Sequence, residues 1–204
     1  MKNFQPSKKL PRNFYTRNVI IVAKELLGKV LVKKEGKQLL SGLIVETEAY
    51  DGAIDEAAHT FTGRTKRNEI MFNEGGYFYV YFTYGNHFCC NVVTGKKNHG
   101  AAVLIRAVEP LDGIKQMAQN RFGKILINDK EKINLTSGPG KICKAFNINK
   151  DHYGLDLLGS KIFILDNPRI SNKDIIVSKR IGIKKSVNLL WRFYVKNNPY
   201  VSKR

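Results

Sequence analysis

Residues 76–93, GYFYVYFTYGNHFCCNVV, restrict the chain more than any other stretch. Aromatic and β-branched side chains fill almost every position from Tyr77 to Phe82 and resume at Phe88. Such a run suits a pleated surface far better than a helix. Its single break, TYGN, predicts the tight turn of a hairpin. Strand alternation then puts Tyr77, Tyr79 and Tyr81 on one face and Phe78, Val80 and Phe82 on the other. One face must pack the core. The second is either covered in its turn or left as a platform on which nucleobases can stack. Tyr84, beside Gly85 at the tip, has no core to fill.

More strands surround this hairpin. KVLVKK, a turn at GK, and QLLSGLIVETEAY read as a second hairpin, while GAAVLIRAVEP is a strand ended by Pro110. KIFILD, RIGIKK and LWRFYV carry the same signature. A helix with Thr16 as its cap is expected through Val19, Ile20, Ala23 and Leu26, stopped by Gly28. DEAAH reads as a short helix or helical turn, and LDGIKQMAQNRF and SGPGKICKAFNI as further helices. No repeat or compositional break divides the chain, so one domain over residues 1–204 is expected. Hairpins with scattered helices predict an α+β fold, a curved and mostly antiparallel sheet flanked by helices with one protruding β-hairpin.

The charge is unevenly spread. The chain has 35 Lys and Arg against 17 Asp and Glu, a formal net charge of +18. Residues 175–204 hold eight basic side chains and no acid, and residues 1–29 hold seven against one. This balance favours a polyanionic partner, because neutralised phosphates release counterions. Yet Glu46, Glu48, Asp51, Asp55 and Glu56 crowd into IVETEAYDGAIDEAAH, with no Lys or Arg between Lys37 and Arg64. Three cysteines, Cys89, Cys90 and Cys143, match neither a disulfide framework nor a metal pair. Reduced thiols and a cytoplasmic, nucleoid-associated protein are expected. No apolar run reaches the ~20 residues that span a bilayer, so no membrane partner is expected.

In an extended strand Glu46, Glu48 and Tyr50 share a face. With His59 following, they resemble a pocket wall that contains a base; a solvated polar edge is the plain alternative. Asp51, Asp55, Glu56 and His59 could also hold a metal, which would suit a nuclease or phosphodiesterase. A binding module without catalysis, using tyrosines as platforms, is the third possibility. The tyrosines, the basic ends and the recessed acids together fit an enzyme that extrudes a base from duplex DNA. Its carboxylate would stabilise the positive charge left on the sugar and deprotonate water.

IVETEAYDGAIDEAAH, GRTKRNEIMF, YVYFTYGNHFCCNVV and VLIRAVEPLDG resemble, in order, the signature blocks of the alkyladenine (3-methyladenine) DNA glycosylases. The resemblance implies a monofunctional base-excision-repair enzyme without cofactor or metal. It would remove 3-methyladenine, 7-methylguanine and deaminated or etheno purines from double-stranded DNA and leave an abasic site. It implies Glu48 as general base, Tyr50 and His59 stacked on one face of the flipped purine, and Tyr81 on the other. Asn91 would lie under the pocket, bearing on the rejection of guanine, and Tyr84 would intercalate. Arg106 would lie near the flipped nucleotide, and Arg64, Arg67, Asn86 and Lys141 are the remaining expected DNA contacts. A monomer with no obligate protein partner suffices to grip a duplex. Asn86 stands where some members have methionine, and SVNLLWRFY lacks a proline found before the Trp in many bacterial members. Both departures bear on lesion preference. No lysine is singled out as a Schiff-base nucleophile, so no lyase activity is expected.

Overall fold

The computed structural model describes residues 8–83 and 85–202. Its framework is strand β2 (Gln38–Asp51), fourteen residues long and the partner of three others. β1 (Val30–Glu35) pairs with its first half as the expected hairpin, from Glu35↔Gln38 to Val30↔Leu43. β5 (Ala101–Pro110) runs along its other edge. β8 (Arg192–Val195) joins where β1 ends, pairing Glu46↔Tyr194 and Glu48↔Arg192. β3 (Phe78–Thr83) and β4 (His87–Thr94) form the aromatic hairpin, which extends the sheet beyond β5. β6 (Ile162–Leu165) closes the far edge on β1, and β7 (Ile175–Ser178) pairs with β8. Every named pairing is antiparallel. A sheet in which one strand changes neighbours midway must curl, and here it forms a half-barrel.

Five α-helices flank the sheet among the described residues: α1 (Arg12–Tyr15), α2 (Val19–Leu26), α3 (Ile114–Phe122), α4 (Asp129–Asn134) and α5 (Pro139–Ala145). Thr16 does not start a helix. Its N–H bonds back to the Arg12 carbonyl and ends α1, while Asn18 caps α2 by accepting from the Ile20 N–H at 2.9 Å. Gly28 does stop α2, at φ +82°, a left-handed conformation that other residues rarely adopt. α4 is an additional helix, and its signal was present in the sequence. Asn128 and Glu131 exchange the two hydrogen bonds of a capping box.

The apolar face of α2 (Val19, Val22, Ala23 and Leu26) packs on Ile44, Ala49 and Ile105 in the main core. Phe78 and Val80 enter the same core, whereas Tyr79 sits with Met71, Val93 and Ala102 in a second cluster. Both faces of the hairpin are therefore covered near its base. Phe82, closer to the tip, is half exposed.

Two expected elements take other forms. DEAAH is a series of tight turns, stitched by Asp51 accepting from the Ala53 N–H and Asp55 from the Ala57 N–H. Side chains that satisfy local N–H groups compete with the helical ladder. RIGIKK, residues 180–185, is a loop and not a strand. Gly182 turns it at φ +78°, Arg180 points its side chain inward, and the Ile181 N–H is bonded to a carboxylate, so no ladder forms. The strand of that region is β7, just before it.

Candidate active site

The pairing of β2 with β5 is irregular at one place. Ile44 faces Val108, Glu46 faces Ala107 and Thr47 faces Ile105, so Val45 and Arg106 are each an extra residue on their strand. Paired bulges of this kind re-aim side chains without losing register beyond them. Thr47 turns toward α2, giving its hydroxyl to the Ala23 carbonyl at 2.9 Å. Glu46, Glu48 and Arg106 turn the other way, where they meet.

Glu48 is fully buried. Its Oε2 accepts from the Tyr50 hydroxyl at 2.8 Å and from Arg106 at 3.2 Å, and its Oε1 accepts from the Ile181 N–H at 2.7 Å. Tyr50, Arg106 and Ile181 all line a cavity of about 450 Å³, together with His59, Tyr81 and Asn91. Glu48 thus lies directly behind the cavity floor, held by three donors that form its surface. Burial, with the adjacent Glu48 charge second, keeps the Tyr50 hydroxyl protonated far above its ordinary range.

The opposite wall is aromatic. Tyr79 and Tyr81 have centroids 5.4 Å apart, and His59 touches Tyr81 edge-on at 4.6 Å while its Nδ1 lies 2.9 Å from the Tyr79 hydroxyl. His59 therefore contacts both Tyr79 and Tyr81. Burial pushes the Tyr79 hydroxyl up to about 12 and lowers the affinity of His59 for a proton, with Arg67 adding to the latter effect. Asn91 is buried opposite Tyr79 in the ladder and donates its amide to the Tyr79 carbonyl at 3.1 Å. Cys89 also lines the cavity and hydrogen-bonds Tyr81. Its thiol is raised to about 11, chiefly by burial.

The acids that are uncompensated along the sequence are compensated in space. Glu46 accepts from Arg106 at 3.0 Å and from Arg192 at 2.7 Å. Asp55, fully buried, takes two guanidinium nitrogens of the fully buried Arg180 side chain. Asp51 meets His99 at 3.1 Å, and Glu56 meets Lys185 at 3.3 Å on the surface. Asp51, Asp55, Glu56 and His59 each take a different partner. Among the described residues no group of three or more His, Cys, Asp or Glu could hold a metal ion. Arg180, Lys185 and Arg192 come from the acid-free C-terminal stretch, so part of its positive charge answers the acids and not an external polyanion.

Of the other expected DNA contacts, Arg67 touches the cavity residue Tyr81, and Asn86 borders a separate recess. Arg64 is exposed, bonds Asn98 at 2.8 Å and covers the Phe72 ring. Arg67 lies over the Tyr81 ring and reaches the Phe82 carbonyl at 3.3 Å. Asn68 is buried and ties the 59–68 loop together through the His59 and Gly63 carbonyls. Asn86 is exposed in the hairpin turn and borders a second, polar recess with His87 and Lys144. Lys141 bonds Asn134 and Ser137, and burial together with the charge of Arg121 lowers its proton affinity. Tyr84 lies outside the described residues. The sequence reading missed Arg180, Arg192, Ile181 and Ser202 as parts of the site. Only the matching charge imbalance of residues 44–59 and 175–204 hinted that these segments meet.

A family model described as methylpurine-DNA glycosylase (MPG) matches residues 13–199. Three relatives bear the name "Putative 3-methyladenine DNA glycosylase". That of Clostridium novyi (strain NT) is 48% identical over 203 residues, covering 97% of this chain and 100% of the relative. That of Alkaliphilus oremlandii (strain OhILAs) is 47% identical over 202 residues, covering 96% and 100%. That of Carboxydothermus hydrogenoformans is 49% identical over 196 residues, covering 96% and 99%.

Proposed function

Because the chain belongs to the methylpurine-DNA glycosylase family, we propose that its cavity receives a methylated purine turned out of duplex DNA and that Glu48 directs water against the sugar. The protein is a base-excision-repair glycosylase acting on DNA. The observation that carries the residue assignment is the buried carboxylate immediately behind a purine-sized, aromatic-walled cavity.

The base stacks between Tyr50 on the floor side and Tyr81 opposite, with the His59 edge beside Tyr81. Asn91 meets the edge of the base and bears on the rejection of guanine. As the C1′–N bond breaks, its electron pair leaves with the purine, and an N3- or N7-methylated cation departs as a neutral base. Positive charge develops at C1′, where the Glu48 carboxylate stabilises it. Water attacks C1′ and passes a proton to Glu48. Oε1 accepts only from the Ile181 N–H among the described residues, so a carboxylate oxygen with two lone pairs keeps one for that water. The products are free base and an abasic site with a hydroxyl at C1′. Neutral hypoxanthine and etheno purines require protonation to leave, so their removal slows as pH rises.

Arg64, Arg67, Asn86 and Lys141 grip the backbone near the mouth, Arg106 supports the flipped nucleotide from the floor, and Tyr84 fills the vacated stack. A monomer performs the reaction without a protein partner, membrane, cofactor or metal. The test is methylated duplex incubated with EDTA. Free methylpurine and strand breaks that appear only after alkali are expected. Loss of activity with EDTA, or breaks without alkali, would refute metal-free, monofunctional hydrolysis.

A further inference from the structure

Glu46 is an acid that this chemistry leaves unused, yet it is fully buried and more heavily bonded than Glu48. Its Oε1 accepts from Arg106 Nε at 3.0 Å, Arg192 Nε at 2.7 Å and the Ser202 hydroxyl at 3.0 Å, and its Oε2 from the Ser202 N–H at 2.7 Å. Arg106 reaches past it to Glu48 with one terminal nitrogen, at 3.2 Å. Two carboxylates and two guanidiniums share one buried site, and their formal charges cancel.

Resting on the reading of Glu48 as the base, we propose that Glu46 is a positioning residue that, balanced by Arg192, restrains Arg106 and thereby keeps Glu48 basic enough to take a proton from water. The geometry supplies the reason. Bound to Glu46 through Nε, Arg106 offers Glu48 a single N–H. Freed from Glu46, its planar fork would close on both oxygens of Glu48, the strongest arrangement available to that pair. That would occupy the lone pair the water needs and stabilise the charged form. The C-terminal segment takes part, because Ser202 clamps both oxygens of Glu46 and lies 3.4 Å from Arg106.

Among the described residues, several groups face Glu48. Tyr50 and Glu46 come from its own strand, Arg106 from β5, and Arg192 from the register position opposite on β8. The Cys89 thiol faces it from β4, and Arg180 stacks over the Tyr50 ring with its guanidinium 4.6 Å from the centroid. Tyr50 and Cys89 are both held protonated through neutral pH, and the arginines stay charged.

Single-turnover release of 7-methylguanine from methylated duplex is the readout, since this cationic base needs no acid. Wild type should show an acid limb that Glu48→Gln abolishes together with the activity. Glu46→Gln removes a negative neighbour, so it should slow release at least tenfold and move the limb to lower pH by about one unit or more. Arg192→Gln removes a positive neighbour and should move the limb to higher pH. Misfolding cannot produce shifts of opposite sign, and if one charge variant does not fold, the direction read from the other decides. A wild-type limb that stays fixed in both charge variants overturns the proposal and leaves Glu48 as the base. A wild type without any such limb, or full activity in Glu48→Gln, overturns both.

Discussion

The floor of the cavity and its aromatic wall are both made of strands, but they are held in different ways. On the floor, Glu46, Glu48, Asp55, Arg106 and Arg192 are all buried, and Arg180 with them, each charge meeting an opposite one. On the wall, rings meet edge-on or tilted at 4.6–6.0 Å, and exposure rises toward Phe82 and the turn. Buried ions bound in fixed directions cannot drift, because any departure leaves a charge unpaired in low dielectric. Aromatic contacts are weaker and less directional, and they tolerate a guest ring in place of a neighbour. The difference matches the proposed division of labour, with chemistry at the floor and adaptable binding at the wall.

Four experiments break or sharpen that contrast. Glu48→Gln should lower excision by ~10²–10⁴-fold while damaged duplex still binds; near-normal turnover would take the chemistry away from the floor. Asp55→Asn removes one partner of a buried ion pair beneath the turns and should cost ~3–5 kcal/mol in urea unfolding. A loss near that of a surface pair would show the floor to be no stiffer than the wall. Tyr81→Leu should weaken binding to damaged duplex by ~1–3 kcal/mol relative to undamaged DNA, and equal losses for both would deny the ring a role in stacking. His59 gives the smallest effect. Its folded pKa lies below the ordinary 6.5, so as pH falls the unfolded chain takes up the proton first. Stability present above about 6.5 is therefore lost as pH drops through the lowered value, and His59→Gln should flatten that part of the pH–stability curve.

The wall was far more legible in the sequence than the floor. Tyr79, Tyr81 and Asn91 lie within one hairpin whose alternation is local, so their relation follows from strand geometry alone. Glu46, Glu48 and Tyr50 shared a face for the same reason, although the bulge at Val45 was invisible. The floor joins residues 46–55 to 106, 180, 192 and 202, and no periodicity spans such separations. RIGIKK shows the cost of reading locally: its β-branched residues favour a strand, and bonds to Asp55 and Glu48 from across the fold hold it as a loop instead.

Local composition by itself determined that the chain would form hairpins, place its tyrosines in a row and gather acids on one strand face. Which cations would neutralise those acids, and that one carboxylate would sit directly behind the floor of a cavity large enough for a purine, only the curled sheet decided. The physical reason is that alternation acts between adjacent residues, whereas charge pairing acts between whatever groups the closure of the sheet brings within a few ångströms.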